Sequence, residues 1–156
     1  QVQVANSNTK GWTMQDIVDS QATLGNKEYI KIKEFRKKHG LTIHHSINLL
    51  NVNASGQMMK NGKFVVTNLQ AAEIAVNLIK TVSKIVNFDC FRRPFVFTFR
   101  RLAENPNFNP EIFINKLKYQ GDRFHPCIDV KSQIELIEEI YNYRRRNNEK
   151  VNLRFL

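Results

Sequence analysis

Residues 67–86, TNLQAAEIAVNLIKTVSKIV, constrain the fold more than any other stretch of this chain. They hold neither glycine nor proline, so nothing in them interrupts a helix. Glu73, Asn77, Lys80 and Lys84 stand at i, i+4, i+7 and i+11 and share one stripe. Most of the remaining circumference is apolar, from Leu69, Ala71 and Ala72 to Val82, Ile85 and Val86. A surface helix has one apolar stripe, whereas this one has one polar stripe, the pattern of a helix buried on most sides. Thr67 is placed to cap its first turn. Glu73, Lys80 and Lys84 argue against a membrane span.

The other elements arrange themselves around that helix. Thr13 with Asp16 approximates a capping box for a short helix that Gly25 ends. Asn26 caps a helix over 27–39, which closes on Lys37, Lys38 and His39 before Gly40, where the macrodipole favours cations. Thr42 caps a third helix through Leu50. Asn61-Gly62, between QMMK and KFVV, predicts a small β-hairpin near 57–66, since both residues tolerate a type I′ turn. A lone hairpin is marginal, and the alternating tail Val151–Phe155 is the candidate third strand. Phe91, Phe95, Phe99 and Leu102 give the next helix its apolar face, with Pro94 near its start. Asn109-Pro110 starts another helix, and Asp129 caps a last one running from Val130 to about Arg146. The fold class expected is all-α or nearly so: a multi-helix bundle around 67–86, forming one domain over 13–156. Residues 1–12, with Val2 and Val4 alternating, read as a linker or the trailing edge of another domain.

The 156 residues carry 24 basic and 14 acidic side chains, a net charge of +10. That surplus favours a polyanionic partner, nucleic acid before an anionic membrane face. A basic domain without such a partner fits the same number. Cys90 and Cys127 are too few for a disulfide framework, which predicts a reducing, cytoplasmic setting. No leader pattern and no long apolar run is present, so no membrane association is expected. The opening QVQVANSNTK, without Met, predicts a fragment or a processed chain.

Three basic clusters are candidate nucleic-acid contacts. The first treats 27–50 as a helix-turn-helix: Arg36, Lys37 and Lys38 at phosphates, and His44, His45 and Asn48 at base edges. Arg36 and Ser46 depart from the usual pattern of small and apolar residues around the turn glycine. A plain αα-hairpin with a solvated basic end is the alternative. The second cluster is Arg92, Arg93, Arg100 and Arg101, with Arg93 and Arg100 seven apart and so on one helix face. The interleaved phenylalanines suit a core better than base stacking. The third is Arg144, Arg145 and Arg146, which also suit a helix C-terminus for local reasons. Cys90 and Cys127 are unpaired in spacing, so no metal site is expected, and no phosphate-binding glycine loop implies a cofactor.

The order of segments NSNTKGWTMQDIVDSQATLGNKEYIKIKEF, GLTIHHSINLL, ENPNFNPEIFINKL and IEEIYNYRRRN resembles the helical region that follows a ParB-like domain in bacterial and phage proteins. The resemblance spans roughly Asn6 to Phe155. In that family the preceding domain carries a Gly-(Glu/Gln)-His-Arg type motif tied to nucleotide or nuclease chemistry, and no such motif stands here. The resemblance implies DNA-related work by the parent protein, with this part lying beyond any catalytic site. The function expected is therefore a non-enzymatic module that binds DNA, or RNA. The alternative is a protein-interaction module of a phage or mobile-element factor, docking on an acidic or nucleic-acid-binding protein. An enzyme fragment that works only with its missing domain is a third possibility.

Overall fold

A computed structural model describes residues 11–154. Among these residues are eight α-helices: α1 Met14–Thr23, α2 Lys27–His39, α3 Ile43–Leu50, α4 Gly56–Lys60, α5 Leu69–Val86, α6 Arg93–Leu102, α7 Pro110–Gln120 and α8 Val130–Asn142. Two 3-10 turns, Gly121–Arg123 and Asn147–Glu149, follow α7 and α8. The fold is all-α, and no strand occurs among the described residues. The Val2/Val4 alternation and Phe155 lie outside them.

Polar caps place most helix starts where the sequence puts them. Thr13 and Asp16 close the capping box of α1, and Asn26, Thr42, Asn109 and Asp129 cap α2, α3, α7 and α8. The cap of α5 is Asn68 rather than Thr67, whose backbone and hydroxyl both donate to the Leu50 carbonyl.

The expected hairpin is a helix end. Ser55 caps α4, and Asn61-Gly62 terminates it. Gly62 N–H donates to the Met59 carbonyl and Lys63 N–H to that of Met58, the paired bonds of a Schellman motif. Gly62 takes the left-handed φ of 68° that this motif requires. Tyr29 of α2 fixes the outcome, because its buried hydroxyl donates to the Met59 carbonyl at 2.8 Å. Residues 151–154 form no strand either. Side chains hold them: Asn142 exchanges two hydrogen bonds with the backbone of Val151, and Glu138 accepts from Leu153 N–H.

Helix α5 packs against α3, α6 and α7. Ala71, Ala72, Ala75, Val76, Leu78, Ile79 and Val82 are buried, while Asn77 and Lys84 of the polar stripe face solvent. Helix α6 is equally central, touching α3, α5 and α8. Its Phe95 and Phe99 stack with Phe124, which also meets Phe88 and Phe113. These aromatic side chains bury large apolar area and belong to one core whose buried residues run from Ile17 to Leu153.

Candidate nucleic-acid interface

The three basic clusters have different fates. At the end of α2, Lys37 is exposed and in no ion pair among the described residues. Lys38 and His39 both reach Glu73 on α5, at 3.1 and 2.8 Å, and dock one helix on the other. Arg36 braces its own helix end, donating from Nε to the Leu41 carbonyl and from Nη1 to Gln15 Oε1.

Helix α3 lies against α2, α5 and α6, with Ser46, Ile47, Leu49 and Leu50 buried. Of its proposed base readers, His44 is exposed, while His45 and Asn48 are half-buried. Only the first turn of α3 is therefore open along the side that a groove would meet. The His45 ring lies 6.3 Å from that of Phe91, which brings the start of α3 to the segment leading into Arg92 and Arg93. Two clusters far apart in sequence thus meet in space.

His45 Nδ1 is buried without a hydrogen-bond partner. Burial pushes the imidazole below its ordinary value, against opposing pulls from the Phe91 backbone and Asp89. A folded-state value below that of the unfolded chain makes the unfolded state take up the proton first. The contribution of His45 is then complete above about pH 6.5 and is lost as pH falls below it toward the folded-state value. Thermal melts of wild type and His45→Gln between about pH 7.5 and 5 check this. The wild type loses more of its melting temperature on acidification than the variant does.

Arg92, Arg93 and Arg101 are exposed, and Arg93 rests over the Phe97 ring at 5.0 Å. Arg100, expected at a phosphate, is instead fully buried. Its Nε donates to the Leu49 carbonyl at 2.5 Å, Nη2 donates to Thr67 Oγ1 at 3.2 Å, and Nη1 pairs with Glu104. The guanidinium thus occupies the C-terminal end of α3, where helix carbonyls lack intrahelical donors and cations are favoured. Burial raises the Glu104 carboxyl, but bonds from Arg100 and Asn68 outweigh it and hold the group below its ordinary value.

The third cluster is not helical. Helix α8 stops at Asn142, and Arg144 takes a left-handed φ of 58°. Its guanidinium lies 5.2 Å from the Tyr143 ring centroid, and that of Arg123 lies 5.4 Å from it. Arg145 covers Tyr141 and donates to the Glu149 carbonyl, while Arg146 is 3.7 Å from Glu149. Local spacing in the sequence does not join Lys116, Tyr119 and Arg123 to this cluster. For Tyr143 the available signal is its place directly before the arginine run in YNYRRR.

No cluster of three or more metal-ligating side chains occurs among the described residues. Cys127 Sγ lies 4.0 Å from His125 Nδ1, and burial followed by the Asp129 charge pushes the thiol up, away from the thiolate that nucleophilic chemistry needs. No helix among the described residues is long and apolar enough to cross a membrane. Comparison with family models, with curated proteins and with solved structures finds no match for the chain.

Proposed function

We propose that this chain is a non-enzymatic nucleic-acid-binding module, DNA being the first candidate, of the kind that follows a ParB-like domain. The observation that carries the reading is a set of exposed cations with no carboxylate partner. Lys37, Arg92, Arg93, Arg101 and Arg144 are exposed and form no ion pair among the described residues. Such groups can displace the counterions of a phosphate backbone at little cost, because no internal ion pair has to break. Binding is mainly electrostatic and weakly dependent on sequence, with His44 and Asn48 the side chains nearest to a base-reading role.

A titration of labelled duplex DNA at low salt tests it. Joint replacement of Lys37, Arg92 and Arg93 by Ala weakens binding by about tenfold or more, while Asn48→Ala alters at most the preference among sequences. Duplex binding that ignores the triple replacement, together with an acidic protein that binds wild type and loses the variant, would replace this reading with a protein-interaction module.

A further inference from the structure

A basic recess lies where α7 ends beside the segment that follows α8. Lys116, Tyr119, Gln120, Arg123, Tyr143 and Arg144 line a recess of about 670 Å³ there, within the range of small-ligand sites. Asp122 is the one carboxylate among its lining residues, against three cations. Tyr119, in the last turn of α7, is 88% exposed. The walls are built. Arg123 Nη1 donates to Gln120 Oε1 at 2.7 Å, and the buried Gln120 is tied through Nε2 to the Ile140 carbonyl of α8. The Lys116 ammonium donates to the Tyr143 carbonyl, holding the chain where it leaves α8.

Arg144 is the least ordinary part. A left-handed conformation comes easily to glycine or asparagine, and α5 uses Asn87 for that purpose at its own end. Here an arginine takes it, and the result is a guanidinium laid over Tyr143 at the rim of the recess. Backbone strain kept at a side chain facing a cleft is a mark of a binding position. Exposed aromatic rings beside arginines are the means by which proteins hold unpaired bases and their phosphates.

We infer that this recess binds a nucleotide unit of single-stranded nucleic acid, its base stacked on Tyr119 and its phosphate held by Arg123 and Arg144. The inference rests on the nucleic-acid reading above and adds a single-strand site to it. Double-stranded nucleic acid cannot use the site in this way, because its bases already stack on one another.

The test titrates labelled oligothymidylate, oligouridylate and a duplex against wild type, Tyr119→Ala, Tyr119→Phe and Arg144→Gly. Glycine suits the left-handed backbone, so Arg144→Gly removes the guanidinium without adding strain. Tyr119→Ala weakens one or both single strands by about tenfold, the effect of losing one stacked base, and leaves the duplex unchanged. Tyr119→Phe keeps wild-type affinity. Arg144→Gly reduces the single-strand salt slope by about 0.7, one phosphate contact. The strand that shows these losses identifies RNA or single-stranded DNA as the source of the ligand.

If the single strands bind all four proteins equally while the duplex still responds to the Lys37, Arg92 and Arg93 replacements, this inference fails and the broader reading stands. If neither strands nor duplex bind, both fall. If an oligoglutamate peptide displaces the strands and is itself lost on Tyr119→Ala, the recess is a peptide site and the inference is overturned.

Discussion

Arg100→Met lowers the stability of the fold by about 3 kcal/mol, combining lost bonds to a charged donor with a buried carbonyl left unsatisfied. For a chain of this size that is a fall in melting temperature of roughly 6–12 °C. The side chain is fully buried and serves the Leu49 carbonyl, Thr67 and Glu104 at once. Methionine fills much of the space but offers no donor to the end of α3. Arg100→Lys recovers little, since one ammonium cannot reproduce the planar fork that reaches all three partners. Thermal melts at neutral pH read the effect. A variant that melts with wild type but loses DNA affinity would return Arg100 to the surface role expected from its sequence position.

A charge at Ile79 has a larger effect still. Ile79 is fully buried on α5, between helices that contact it from several sides. An unpaired carboxylate there costs several kcal/mol, comparable to the roughly 5–15 kcal/mol that holds a typical domain together. Ile79→Asp therefore leaves the protein largely unfolded at 25 °C by circular dichroism. Asn77→Asp, two residues away but exposed, stays within about 0.5 kcal/mol of wild type. If Ile79→Asp melts within a few degrees of wild type, α5 is not the buried helix described here.

Helices were legible in this chain because their ends are written locally. Thr13, Asn26, Thr42, Asn109 and Asp129 each make the cap bond that their residue type allows. Asn61-Gly62 was misread for a physical reason: a type I′ turn and a Schellman motif both demand positive φ, and glycine serves either. The choice was made at a distance, by Tyr29 holding the carbonyls of α4. Arg144 hid the end of α8 in another way, since an arginine is not an expected left-handed residue.

The candidate site was legible in kind but not in membership. Periodicity assigns Arg93 and Arg100 to one face of α6, and it says nothing of depth along that face. Helix α6 starts at the surface and ends beside the C-terminus of α3, so Arg93 is exposed and Arg100 is enclosed. The meeting of His45 with Phe91, and of Arg123 with Tyr143 and Arg144, depends on tertiary packing and has no signature in local spacing.

The salt dependence of duplex binding tests the central claim most directly. If about three to four of the exposed, unpaired cations meet phosphates, the logarithm of the association constant falls against the logarithm of salt concentration with a slope of about −2.7 to −3.6. Replacing Lys37 and Arg93 by Ala then makes that slope shallower by about 1.8, and Arg100→Lys leaves it unchanged in the folded protein. A flat salt response, with binding no tighter than micromolar at low salt, would contradict the nucleic-acid function proposed for this fold.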